Sequence, residues 1–343
     1  MTRARDLLLA AAIAMTGLAA VAAVAPPLGA AGWLTGFVLW SQIPVGSLVL
    51  MMIHRLTGGR WGEVLHPVFA SAARLVPLLA VLAVPALAAI PLLWSHHAGS
   101  VRPDVISYYL NTPLLVGRSL IALTGWSALA FLLPRITGAR GRLLAAVGLV
   151  LHAVLVSVVS IDWVLSIEPP FVSSSFGIGT AITQLIAALA WAVLWAPRAV
   201  DGGVTGDIGG LLLALVLAIT YVDFMAFLVM WYSDQPARMS WFLERDRFPW
   251  PLLAGGAFVF ASAAPILALL LASVRNRIGA LRAVAISSLA GVALRYAYLI
   301  VPPFGGRALA SAALAIIAIG LLFVVVGRPL SSAAMPGRAL RGP

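Results

Sequence analysis

The stretch Gly209 to Ser233 reads GGLLLALVLAITYVDFMAFLVMWYS, and Asp223 is its single charged residue. At about 1.5 Å of rise per residue, such a run forms a helix long enough to cross a hydrocarbon core of roughly 30 Å. Helix is the form required there, because backbone N–H and C=O groups in lipid have no water to bond.

Runs of the same kind recur on both sides of it. Towards the N-terminus they are Leu7 to Ala25, Trp33 to Ile53, Ala73 to Trp94, Thr112 to Leu133, Leu143 to Ser166 and Phe176 to Ala196. Towards the C-terminus they are Trp250 to Ser273, Ala280 to Val301 and Arg307 to Val326, which makes ten expected spans. The whole chain is 62% hydrophobic and 10% charged, with a mean hydropathy of +1.05. A soluble domain carries roughly 25% charged residues, so a chain this apolar has too little polar surface to face water. Arg3 and Arg5 before an alanine-rich run also fit a signal peptide, but the length of that run and the immediate start of the next favour a membrane helix. Connections between spans are short, which places any chemistry in the bundle or on partner subunits.

The net charge of +11 comes from arginine alone. With the N-terminus inside, the inner segments hold Arg3, Arg5, Arg55, Arg60, Arg74, Arg135, Arg140, Arg142, Arg198, Arg275, Arg277, Arg282, Arg328, Arg338 and Arg341. The outer segments hold only Arg102, Arg238, Arg245, Arg247 and Arg307. This asymmetry follows the positive-inside rule and predicts both termini in the cytoplasm. Nucleic acid is excluded as a partner, since its binding needs basic residues gathered on one soluble face. Trp33, Trp94, Trp163, Trp231 and Trp250 lie near span ends, where indoles anchor helices to the headgroup layer. The outer segment Asp234 to Pro249 mixes charge with aromatics and reads as a docking surface or a solvated loop.

The chain has no cysteine, which removes thiolate metal sites and iron–sulfur ligation. Of His54, His66, His96, His97 and His152 only the last falls well inside a span, so no histidine pair is set to hold haem. Neither haem nor an iron–sulfur cluster is expected on this chain. Adjacent His96 and His97 at the outer boundary form a weak metal pattern, and no metal site is expected. There is no GxSxG, HExxH or Walker loop. Gly177-Ile178-Gly179 lacks the context of a dinucleotide site and suits close helix packing.

Charged groups inside spans are costly and are functional candidates by default. Four stand out: Arg118, Asp162, Asp223 and Arg295. Asp223 and Arg295 each lie about 21 to 23 Å from the inner ends of their spans, and Arg118 lies about 9 Å below an outer end. Asp162 is within roughly one turn of the outer end of its own span. All four share the outer half and sum to zero charge. They read either as two ion pairs that position helices or as a proton-exchanging site. His152, ten residues before Asp162, reads as a buried hydrogen-bonding group or a relay.

Ser160 to Gly177, SIDWVLSIEPPFVSSSFG, resembles the DW-x-x-SLEP-x-x-FS-x-x-FG signature of the NrfD-like membrane subunit, ActF type, of alternative complex III. His54 to Pro77 (HRLTGGRWGEVLHPVFASAARLVP) is similar to that family's HLTGGRWG…AAR-x-x-P segment. Tyr108 to Arg118 (YYLNTPLLVGR) resembles its YLN-x-PFF-x-x-R, and Met230 to Leu243 (MWYSDQPARMSWFL) its IWY-x-x-x-PEE-x-x-WYL. The matches keep the family's order from about residue 30 to residue 273. The chain departs from the family at Asp223 and Ala226, where a serine and a glutamine are usual, and after Arg295, where RYAYLIVPPF carries no acid.

The resemblance implies an all-α membrane unit over 1–343, with two four-helix bundles (33–166 and 176–301) between flanking helices one and ten. It implies a bacterial inner-membrane subunit of a quinol:electron acceptor oxidoreductase that helps form a quinol pocket or proton path. The partners implied are haem c and iron–sulfur subunits on the periplasmic side, a homologous NrfD-like sister subunit and a terminal oxidase. In that frame Asp162 is the expected quinol base, with Glu168 and His152 behind it and Arg118 holding it charged, while Asp223 and Arg295 pair in the second bundle. A secondary transporter and a purely structural anchor are the alternative readings.

Overall fold

The computed structural model describes residues 2–94, 103–168, 173–232 and 236–332. It is 87% helical, and no strand occurs among the described residues. The helices are α1 (Thr2–Val24), α2 (Pro26–Thr57), α3 (Arg60–Ala73), α4 (Val76–Ala88), α5 (Ile90–Leu93), α6 (Pro103–Tyr108), α7 (Thr112–Leu132) and α8 (Gly138–Trp163). They continue as α9 (Phe176–Trp195), α10 (Gly202–Tyr232), α11 (Pro236–Leu243), α12 (Trp250–Phe258), α13 (Ala264–Leu270), α14 (Ala272–Arg275), α15 (Ile278–Ile300) and α16 (Ala308–Ser332). Among the described residues, nine helical segments are long and apolar enough to cross a membrane, and ten when the bent pair α3–α4 counts as one. The protein is a multi-pass membrane protein.

Two rings of four organise these helices. In the first, α2 packs on α4, α4 on α7, α7 on α8 and α8 back on α2. In the second, α9 packs on α10, α10 on α13, the α12–α13 helix on α15 and α15 back on α9. The rings meet along α2, α8 and α9, while α1 and α16 clasp α2 from the other side. α2 is thus the central post: 89% of its apolar window is buried, against 17% for α10. Lipid is as apolar as leucine, so close packing and not water release holds such helices together. Small residues make that approach possible. A Cβ on Gly291 would stand 2.2 Å from the backbone nitrogen of Ala261, so α15 can touch its neighbour only because the side chain is missing.

The third crossing differs from the expected straight run Ala73 to Trp94. The chain bends by 40° at Arg74 and Leu75, and a second break falls at Ala89. Pro77 and Pro91, each in the first turn of the segment after a break, account for this segmentation, because proline lacks the N–H and clashes with the preceding turn, whereas Pro85 is carried inside α4. α4 alone, at about 20 Å, is too short for a crossing and is completed by its neighbours. The eighth crossing also departs from a uniform helix: a π-helical turn, Val259–Ala263, separates α12 from α13, and Leu271 is extended.

Of the five tryptophans expected to anchor in headgroups, only Trp231 is widely exposed, at 62%. Trp33 donates to the Leu82 carbonyl, Trp94 to the Ser166 hydroxyl and Trp163 to the Ser119 hydroxyl. These three indoles are helix-to-helix ties. At the end of the bundle away from Asp162 and Asp223, arginines bond to helix ends, as Arg55 does to the Ile136 carbonyl and Arg282 to that of Ala196, each at 2.7 Å.

Candidate functional site

The four intramembrane charges form two ion pairs, one per ring. In the first, Arg118 of α7 clamps Asp162 of α8 through Nε to Oδ2 at 2.6 Å and an Nη2 nitrogen to Oδ1 at 2.9 Å. The local sequence sets this up. Asn111 caps α7 by accepting from the Leu114 N–H, and Pro113 starts the helix, which turns Arg118 towards α8. The Tyr109 carbonyl accepts from Arg118, and the Tyr109 ring lies 3.9 Å from the guanidinium carbon. Burial raises the phenol of Tyr109 above its ordinary value, and the Asp162 carboxylate adds to the effect. The Asp162 side chain is 0% exposed and that of Arg118 19%.

His152 and Glu168 are not joined to this carboxylate. His152 is about 15 Å back along α8. Its ring lies 6.0 Å from that of Trp126, and its Nδ1 has no partner among the described residues. Glu168 turns to the other ring. It pairs with Arg245, which follows α11, and accepts from the indole of Trp241 at 2.9 Å. Arg245 is 3% exposed and lies 3.8 Å from the Trp241 ring. The outer segment Asp234 to Pro249 is therefore not simply a docking surface, since Trp241 and Arg245 are buried in the molecule. Asp234 itself lies outside the described residues, as do His96 and His97.

The second pair borders open space. Arg295 of α15 binds both carboxylate oxygens of Asp223 of α10, one of them at 2.9 Å. Of Gly177-Ile178-Gly179, Gly177 packs tightly on Ser157, where a Cβ would come within 2.8 Å, while a Cβ on Gly179 would meet the Arg295 guanidinium at an ordinary 3.9 Å. The pair faces a cavity of about 510 Å³, within the usual range of roughly 300–1,000 Å³ for small-molecule sites. Its walls come from α9, α10, α11, α12, the π turn and α15, and most of them are apolar. Thr183 and Thr220 line it too, with their hydroxyls donating to the Gly179 and Val216 carbonyls of their own helices. Each oxygen still presents lone pairs as an acceptor. Two of the five guanidinium N–H groups of Arg295 engage Asp223, which leaves donors over. The side chain of Asp223 is 42% exposed.

On its outer side the cavity is roofed by Trp241 and Phe242. Trp241 stands edge-on to Phe242 and to Tyr298, with centroids 4.9 and 5.7 Å away. The Arg245–Glu168 pair holds this roof to the end of the first ring. Sequence reading did not find the cavity, because its wall residues are spread over six segments. Among the described residues, no group of three or more histidine, aspartate or glutamate side chains is placed to hold a metal. No family model and no curated protein gives a significant match to this chain.

Proposed function

We propose that the chain is the NrfD-like membrane subunit of a quinol-oxidising complex in a bacterial inner membrane, and that the second-ring cavity holds the quinol ring. The observation that carries this reading is a mostly apolar intramembrane cavity of about 510 Å³ with one ion pair in its wall. Such a site suits a neutral molecule that lives in lipid and needs both a donor and an acceptor. Arg295 offers N–H groups to a ring oxygen, and the Asp223 carboxylate accepts an O–H.

Oxidation of the quinol releases two protons and two electrons. In this reading Asp223 accepts the first O–H proton, passes it to the outer water and then takes the second. The electrons leave to haem c and iron–sulfur centres of partner subunits, since this chain has no cysteine. The proton-accepting role expected for Asp162 is assigned to Asp223 on exposure: each carboxylate has an arginine on both oxygens, but the Asp162 side chain has no exposed surface while that of Asp223 is 42% exposed at the cavity.

The test is quinol-dependent acceptor reduction and bound-quinone content in the purified complex. The proposal expects quinone to copurify and a soluble short-tailed quinone to displace it. A complex free of quinone that also fails to bind the short-tailed compound would remove the reading.

A further inference from the structure

The cavity is roofed by aromatic rings on its outer side and open on its flank. Its outer roof is Trp241, 4% exposed, with Phe242 beside it. The opposite condition holds on the flank. α10 packs against the π turn, α13 and α14, which form the inner part of its neighbour, but among the described residues it makes no comparable packing with α12. The two helices therefore part in the outer half of the membrane, above the π turn. A π turn inserts one extra residue and shifts the helix that follows it, and such turns recur at functional sites.

Three side chains mark the parting: Phe224 and Phe227 of α10 and Phe258 of α12 all line the cavity, yet are 57, 42 and 58% exposed. At this depth their exposed faces meet acyl chains. Behind them Asp223 and Arg295 cancel each other's charge, so the site favours an uncharged head over a phosphate-bearing one. A lipid phosphate would have to compete with the Asp223 carboxylate for the same guanidinium.

We propose that the opening between α10 and α12 is the tail channel of a long-chain quinone, which enters sideways from the outer half of the bilayer and lodges its ring at Asp223 and Arg295. This rests on the quinol reading above and adds the route and the tail's position. Ala257 of α12 lines the same wall and is small enough to leave the channel open.

The test uses the purified complex in lipid nanodiscs with three photoreactive probes: a quinone with a long isoprenoid tail, a short-tailed quinone and a phosphatidylcholine. Labelled peptides are mapped by mass spectrometry. The long-tailed probe should label both 219–230 and 254–262, and Ala257→Trp should weaken its capture by about tenfold, or ~1.4 kcal/mol, with little effect on the short-tailed probe. Phe258→Ala, which widens the opening and asks less of folding, should keep or raise labelling by the long-tailed probe. Equal long-tail labelling in Ala257→Trp, with the variant folded, would overturn the channel. So would short-tail labelling of the cavity with the long-tailed probe found elsewhere, although the quinol reading would then stand. Labelling of these helices by phosphatidylcholine alone would overturn the assigned occupant and the quinol reading together.

Discussion

The two intramembrane ion pairs use the same chemistry in opposite settings. Arg118 and Asp162 lie within the first ring, capped by Tyr109, with a carboxylate that has no exposed surface. Arg295 and Asp223 lie in the wall of a cavity, with the carboxylate 42% exposed. A sealed pair fixes helices and cannot meet a substrate. A pair on a cavity wall does less for stability, because water or ligand screens it, and is able to exchange protons with what enters.

The largest effect that sharpens this contrast is expected at the sealed pair. Arg118→Ala leaves Asp162 buried without its cation, at a cost of about 3–5 kcal/mol. Unfolding of the purified protein in detergent should show this as a large loss of stability, whereas Arg295→Ala should cost less than half as much. Equal losses at the two sites would break the comparison.

Next comes the tie between the rings. Glu168→Gln removes the charge partner of buried Arg245 and should cost about 2–3 kcal/mol. Because the roof of the cavity hangs on this pair, quinone affinity should fall along with stability, which quinone titration of the variant checks. Gly291→Ala tests the packing behind the cavity. The added Cβ meets the Ala261 backbone at 2.2 Å, so α15 must move away from the π turn, at about 1–3 kcal/mol. The smallest effect on the cavity belongs to Gly58→Ala, at the turn from α2 into α3. Its φ of 72° with a ψ of −157° is a conformation essentially reserved for glycine, so a side chain costs about 1–3 kcal/mol although nothing lies within 4 Å to clash; the thermal unfolding temperature should fall and quinone binding should not change.

Much of this architecture is legible in the sequence. Apolar run length gives the crossings, and the shared depth of four charges gives their pairing. The quoted motifs also have physical meaning in the fold: Asn111 and Pro113 start α7, Asp162 receives Arg118, Trp163 ties to Ser119, and Ser166 receives Trp94. The two glycines of Thr57-Gly58-Gly59-Arg60 take positive φ, which turns the chain from α2 into α3.

What the sequence hides depends on bends and on residues far apart in the chain. Prolines segment the third crossing, although they sit inside a run whose hydropathy is uninterrupted. Glu168 lies six residues after Asp162 and reads as its neighbour, but the chain leaves α8 between them and carries Glu168 to Arg245. The cavity exists because α10 and α12 part above a π turn; Pro265, two residues after it, marks a break in the helix but says nothing of the opening beside it. Exposure, which separates Asp162 from Asp223 most sharply, is a property of packing alone.

The most direct measurement is therefore quinol-dependent acceptor reduction per assembled complex in Asp223→Asn beside Asp162→Asn. Asp223→Asn should assemble normally and lose about 10²-fold or more in turnover, the scale of removing a general base. Asp162→Asn should lose assembled complex, while the complexes that do form turn over at close to the wild-type rate. A fully assembled Asp223→Asn complex with wild-type turnover, alongside an assembled but inactive Asp162→Asn, would contradict the account.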